Sequence, residues 1–264
     1  LGTTDGLVHF NGTNFINYGI KDGLGMSTYI KKIFRSKKGN ILLSTGHSRE
    51  FGNSGGKYTN SLYYYDGLSF NIVEEANHTF NIGDIIFDSD AMIYGSNNKM
   101  IISKKGLQQS FSPFFSENKS LGWYVTSIEM TKDGNILVGT NGNGVWKYNS
   151  NSVKTLSTVD GYPGGWGWTV ITDNENNVWS VVGGDLIKNS GNKGLKTYTS
   201  FNDSPVEWVS NIDIDNFGNI WVTSNLGLVN IVGDKEVIYG KSSGFTNYDM
   251  SNLSINSSGK IWVK

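Results

Sequence analysis

The chain repeats itself. An apolar run led by Gly or Asn recurs as GNILLST at Gly39, GNILVGT at Gly134, NNVWSV at Asn176, GNIWVTS at Gly218 and GKIWVK at Gly259, with a variant, AMIYGS, at Ala91. The first apolar residues of these runs are Ile41, Met92, Ile136, Val178, Ile220 and Ile261, spaced 51, 44, 42, 42 and 41 residues apart. A near-constant period in the low forties is the mark of a repeat architecture, and one period holds four short strands. The best-formed copy, Asp133 to Asn149, shows why: an Asp-Gly-Asn turn, an apolar strand, a turn rich in Gly and Asn, then a second strand, Val145 to Tyr148. Gly and Asn tolerate positive φ, while Ile, Val, Trp and Tyr suit a pleated, half-buried surface.

Another alternating apolar strand precedes each run (Ile128 and Met130, Ile212 and Ile214, Leu253 and Ile255), and a fourth follows, as at Val237 to Tyr239. We letter the four A to D, with the repeated run as strand B. Composition agrees: 34 Gly but 3 Pro, 13% aromatic and 17% charged residues describe a many-turned all-β chain, and no segment carries a helical period. Repeated four-stranded units predict an all-β, six-bladed β-propeller of four-stranded antiparallel blades filling residues 1–264 as a single domain. The count of six uses both ends. The N-terminal stretch LGTTDGLVHFNGTNFINYG supplies a remnant of B, then C at Leu7 to Phe10 and D at Phe15 to Tyr18, while the last repeat stops after A and B at Lys264. The last blade is therefore expected to be shared between N- and C-terminal strands. Val263 and Lys264 align with Leu1 and Gly2, so part of strand B is present twice, and the chain reads as a piece cut from a longer array.

Several function classes fall away. The formal charge is -1, from 22 basic and 23 acidic residues, so nothing draws the chain to nucleic acid or an anionic membrane surface. With no Cys, disulfides, thiol catalysis and thiolate metal sites are excluded. No apolar run approaches the roughly 20 residues that span a bilayer, so no membrane contact is expected within this segment. No cofactor is expected: the loose glycines match no phosphate-cradling or dinucleotide fingerprint. DIDNFGN at Asp213 places Phe217 and Ser224 where calcium ligands belong, so no metal is expected either.

The order DGL or DGY, a short gap, an apolar strand, an Asp turn, GNIW and a Gly-Leu turn resembles the two-component regulator propeller repeat. Three stretches carry the likeness: DGLGMSTYIKKIFRSKKGNILLST, DGYPGGWGWTVITDNENNVW and IDIDNFGNIWVTSNLGLVNI. It extends over nearly the whole chain, with one degenerate repeat at Asn81 to Ile102. The resemblance implies a periplasmic or extracellular sensor region of a hybrid histidine kinase, of a kind that often recognises oligosaccharides and usually has more blades than are counted here. Nothing in the chain resembles the kinase, receiver or membrane segments.

Topology sorts the loops. D-to-A and B-to-C connections share one face, and A-to-B and C-to-D connections share the other. Each repeat has an aromatic where strand A starts: Tyr29, Phe80, Trp123 with Tyr124, Trp166, Trp208 and Tyr248, with Trp168 close by. In a closed propeller these ring the funnel mouth, where indole and phenol faces suit stacking on sugars, although wedging between blades is the structural alternative. The long first period reflects an insertion between B and C, Gly46 to Ser61, whose His47, Arg49 and Tyr58 reach toward the same face. The ligand-binding set is thus Tyr29, His47, Arg49, Tyr58, Trp123, Tyr124, Trp166, Trp168, Trp208 and Tyr248, for an oligosaccharide or other small ligand. The recurring turn aspartates (Asp88, Asp133, Asp173, Asp215) lie on the opposite face and are expected to hold turns. Two rival readings are a protein-interaction or structural propeller of a bacterial surface assembly, with a protein as partner, and a lyase-type enzyme resembling the streptogramin lyases. The second would need His47, with Glu50 and Glu207 as partners. His9 and His78 lie elsewhere, and no catalytic residue is assigned.

Overall fold

A computed structural model describes residues 1–25, 29–35, 41–46, 60–76, 82–88, 91–96, 99–104, 107–111, 125–142, 144–149, 152–156, 165–246, 250, 252–256 and 258–263. The chain is all-β, built from antiparallel meanders in which each strand pairs with the next. Five are four-stranded. In A-to-D order they are Ile30–Arg35, Ile41–Thr45, Asn60–Tyr65 and Phe70–Ala76; Ile82–Asp88, Ala91–Ser96, Lys99–Lys104 and Leu107–Phe111; Val125–Met130, Ile136–Thr140, Gly144–Asn149 and Ser152–Leu156; Gly167–Thr172, Val178–Val182, Asp185–Asn189 and Leu195–Tyr198; and Val209–Ile214, Ile220–Ser224, Gly227–Val232 and Lys235–Tyr239. Gly2–Thr3, Gly6–Phe10 and Phe15–Tyr18 form a three-stranded sheet, and Leu253–Ile255 pairs with Ile261–Val263. The chain divides into two compact units, Leu1–Phe114 and Phe115–Lys264.

Burial explains the strand sequences. Every residue of Ile136–Thr140 is buried, and Val178–Val182 and Ile220–Ser224 are nearly so. A strand covered on both faces must be apolar or small throughout, which gives ILVGT and IWVTS rather than alternation. Fourth strands are open: Phe15–Tyr18 is exposed except for Tyr18, and Lys235–Tyr239 has no fully buried residue. Within the second unit, Trp179, Val181, Leu186, Tyr198 and Phe201 pack against Val209, Ile212, Val222 and Val229 of the following sheet, and Leu137 and Val145 pack with Val170, Val182 and Ile187. Within the first, Leu7, Leu24 and Ile30 pack with Leu43, Tyr63 and Phe70, while Phe34, Leu42 and Leu62 meet Ile85 and Tyr94. Glycine is required where strand C begins. Gly6 and Gly227 have φ of 112° and 109°, and a Cβ on either would run into the carbonyl of Tyr18 or Tyr239 at the end of strand D.

Two of the A-to-B turns are clamped by the expected aspartates, Asp215 and Asp173. Asp215 Oδ1 accepts from the Phe217 and Asn219 amides, both at 2.9 Å, and its Oδ2 accepts from Asn219 Nδ2 at 2.9 Å and Trp221 Nε1 at 3.0 Å. Asp173 repeats this with Glu175, Asn177 and Trp179. Two of the four aspartates differ. Thr131, not Asp133, heads its turn: its Oγ1 accepts from the Asn135 amide at 3.0 Å and donates to Asp133. Asp88 lies in the ladder opposite Ala91, because the degenerate repeat has a shorter connection there.

One small element was not expected. Ser200–Phe201 and Ser204–Pro205 form a hairpin between two sheets, its tip residues Asn202 and Asp203 at φ of 45° and 63°. Asn202 donates from its amide to Glu236 Oε2 and from Nδ2 to the Glu236 carbonyl, both at 2.8 Å, tying the hairpin to the outer strand of the next sheet.

Candidate functional site: the tryptophan rim

Backbone hydrogen bonds build one edge of the second unit. The Gly144 amide donates to the Gly165 carbonyl at 3.0 Å, Gly183 to Trp166 at 2.9 Å, Val209 to Gly184 at 2.7 Å, and Asn225 to Trp208 at 3.2 Å. The Gly183–Gly184 turn is thus joined to the start of strand A in its own sheet and in the next, the Gly144 turn to that of the next sheet, and the Asn225 turn to that of its own. In the first unit the equivalent bond runs from the Gly46 amide to the Tyr29 carbonyl at 2.9 Å. Tyr29, Trp166 and Trp208 therefore hold one structural place, immediately before strand A and beside the B-to-C turn, as the topological sorting of loops requires.

The rim holds tryptophan where little else projects. Gly183 and Gly184, with φ of 63° and 96°, close the Val182–Asp185 pair as a two-residue turn of the kind that needs positive φ at both positions. That turn carries no side chain and lies against Trp208, whose Cβ is 3.8 Å from where a Gly184 Cβ would stand. Asn225 fixes Trp208 a second time, because its Oδ1 accepts from the Glu207 amide at 2.9 Å and from the Trp208 amide at 3.4 Å. Trp166 and Trp168 are 51% and 44% exposed, so about half of each indole faces solvent, and their rings meet edge to face at 5.3 Å and 63°. Trp208 is half-buried, as is Tyr29. Two open indole faces at a corner are a surface for stacking a ring with polarised C–H bonds.

The structure brings Trp166, Trp168 and Trp208 together on this rim. Tyr29 takes the equivalent place in the other unit. His47, Arg49, Tyr58, Trp123, Tyr124 and Tyr248 lie outside the described residues, as do Phe80, Glu50 and His78. His9 sits in strand C of the N-terminal sheet, opposite Ile16 and exposed. Among the described residues no group of three or more His, Cys, Asp or Glu could hold a metal ion. Sequence reasoning missed Gly165, Gly183, Gly184 and Asn225, which shape the rim; the paired glycines after strand B are readable as a turn but not as part of a site.

A second concavity of about 630 Å³ runs along the fourth strands of two consecutive sheets, lined by Lys196, Tyr198, Asn202, Asp203, Asp234 and Glu236. Burial, then the negative charges of Glu236 and Asp234, push the Tyr198 phenol up to about 12, so it stays a neutral hydroxyl. Lys196 lies 4.0 Å over the Tyr198 ring. The lining mixes both signs of charge and selects no ligand class.

No protein-family model and no curated protein matches the chain by sequence. Solved structures do match by shape. Against the extracellular domain of the hybrid two-component system BT3049 from B. thetaiotaomicron, the TM-score is 0.73 over 99% of this chain at 17% identity. The chain shares the fold of that domain. At that identity the likeness speaks for fold alone, and the chain spans about a third of its neighbour's length, 35%. The same architecture matches PorZ, a surface component of the type-IX secretion system of Porphyromonas gingivalis, with a TM-score of 0.63, 13% identity and coverage of 96% of this chain and 41% of PorZ. It also matches virginiamycin B lyase from Staphylococcus aureus, with 0.68, 12%, 96% and 82% respectively. Among the described residues no helix is long and apolar enough to cross a membrane.

Proposed function

We propose that the chain is a non-enzymatic, extracytoplasmic recognition propeller that binds an oligosaccharide on the tryptophan rim and passes occupancy to two-component signalling. Six four-stranded blades are part of this reading, five from the four-stranded sheets and a sixth supplied in halves by the two ends of the chain. The observation that carries it is the Trp166–Trp168 corner, two half-open indoles edge to face on a rim that backbone hydrogen bonds hold in place. Buried aromatics stabilise a core, whereas adjacent aromatics left half in water gain little for the fold and suit a ligand. Likeness to the BT3049 domain supports the sensor role and the extracytoplasmic location. Tyr29 and the aromatic and insertion residues outside the described range extend the same binding set.

Likeness to PorZ favours a second reading, in which the same corner is the anchor of a protein–protein contact. Titration with malto-, xylo- and manno-oligosaccharides, followed by tryptophan fluorescence, tests the first. A saturable change that disappears in Trp166→Ala and Trp208→Ala is expected. Silence to all three series, with a protein partner captured through the rim and lost in the same variants, establishes the second reading instead. Elimination activity abolished by His47→Ala would overturn the non-enzymatic assignment.

A further inference from the structure

Strand A breaks register at the same step in all five four-stranded sheets. Pairing passes over Lys31 between Ile30 and Lys32, Gly83 between Ile82 and Asp84, Thr126 between Val125 and Ser127, Trp168 between Gly167 and Thr169, and Ser210 between Val209 and Asn211. Such a bulge leaves one residue unpaired and re-aims its side chain, a device common beside binding sites.

In two sheets the bulged residue performs one task. Thr126 Oγ1 donates to the Gly167 carbonyl, and Ser210 Oγ donates to the Met250 carbonyl at 2.5 Å. Both acceptors hold the same place in the following repeat, three residues before the inward-facing Val170 and Leu253. A hydroxyl at the bulge therefore latches these two sheets to the ones that follow them. Trp168 breaks this series. The acceptor's place in its following sheet is taken by Val209, and an indole has no hydroxyl to donate to it. The Trp168 ring instead stands 44% exposed beside Trp166.

We infer that the bulge slot is the specificity-determining position of the rim: Ser or Thr in it latches adjacent sheets, and Trp168 forgoes the latch to present a ligand contact. This rests on the rim's being a sugar-binding surface. The corner also limits what can bind. Centroids 5.3 Å apart at 63° are too close and too inclined for two sugar rings side by side, so the pair takes one pyranose ring, stacked on one indole with its rim against the other.

Two substitutions at one position separate latch from ligand. Trp168→Thr and Trp168→Val lose the same indole but differ by one hydroxyl. Both are expected to weaken the oligosaccharide response at least about tenfold in Kd. Trp168→Thr should nonetheless melt about 2–4 °C above Trp168→Val, because it alone can latch to Val209. Thr126→Val calibrates the effect and should fall below wild type by a similar interval. Equal melting of the Thr and Val variants, with a clear drop in Thr126→Val, would overturn the shared slot. Undiminished oligosaccharide binding in both variants would overturn the recognition role of Trp168. Should wild type answer none of the oligosaccharides while the melting difference appears, the sugar-binding reading fails and the recognition half of the inference fails with it.

Discussion

Removing the Asp173 carboxylate should destabilise the second unit through one buried indole. Trp179 is 2% exposed and its Nε1 donates to Asp173 Oδ2 at 2.8 Å, with Asn177 Nδ2 on the same oxygen at 2.8 Å. Oδ1 accepts from the Asn177 amide at 2.8 Å and the Glu175 amide at 3.0 Å. A hydrogen bond to a charged group contributes about 1.5–3 kcal/mol net, and a donor left buried without a partner costs about 1–3 kcal/mol. Because the four bonds act as one unit they do not add, and Asp173→Ala should cost about 3–5 kcal/mol, a large share of a typical domain's stability. Asp215 makes the same set of bonds, but Trp221 is only half-buried and water can replace the lost acceptor, so Asp215→Ala should cost clearly less. Urea unfolding of both variants measures the difference. A double-mutant cycle then isolates the indole: in a Trp179→Phe background, Asp173→Ala should cost about 1.5–3 kcal/mol less than in wild type. A coupling within about 0.5 kcal/mol of zero, or an Asp215→Ala cost equal to that of Asp173→Ala, would refute the argument.

Four further outcomes are expected. Ser180 Oγ is fully buried with no hydrogen-bond partner among the described residues, and the same place in other B strands holds Leu43, Val138 or Val222, so Ser180→Ala should stabilise by about 1 kcal/mol in thermal or urea unfolding. Gly227→Ala, which forces a Cβ against the Tyr239 carbonyl at φ of 109°, should destabilise by about 2–3 kcal/mol in the same assays. Burial is the largest influence on Asp173 and pushes its carboxyl up, but hydrogen bonds from Trp179, Asn177 and the backbone together hold it below its ordinary value. Its contribution is present above the unfolded value near about 4 and lost as pH falls through the folded one, so Asp173→Asn should flatten the acid limb of the stability curve. Asp213 has the opposite sign. Burial raises it against the pull of the Ile214 and Ile255 amides, so its contribution is full below about pH 4 and lost as pH rises through the raised value, a dependence that Asp213→Asn should remove.

The fold was legible because the repeat is written in apolar runs and turn residues, both local signals. The pattern Asp215, Asn219, Trp221, repeated as Asp173, Asn177, Trp179, even encodes the turn clamp. At Asp133 the pattern shifts: Thr131, two residues earlier, supplies the oxygen for the Asn135 amide, while Asp133 braces the same turn by accepting from Thr131 and from Asn135 Nδ2. Trp166 and Trp208 could be placed at the start of strand A because they precede the apolar run at a fixed distance. The bulge could not be read. It is a property of pairing register, and Lys31, Thr126, Trp168 and Ser210 share no side-chain chemistry that would mark them as equivalent. The glycine floor of the rim was hidden for a related reason: Gly183 and Gly184 look like any turn until Trp166 and Val209 are seen bonded on either side of it.

The chain of amide–carbonyl bonds from Gly144 to Asn225 has an evolutionary consequence. Main-chain groups are the same in every amino acid except proline, so bonds between them fix the positions of Trp166 and Trp208 whatever side chains stand there. Substitution at either residue changes what the rim touches while leaving the scaffold's own bonds intact. A lineage carrying this repeat can therefore change the chemistry of the rim by single steps, each passing through a folded intermediate. Proline at Gly144, Gly183, Val209 or Asn225, or side chains forced onto Gly183 and Gly184, would close that route.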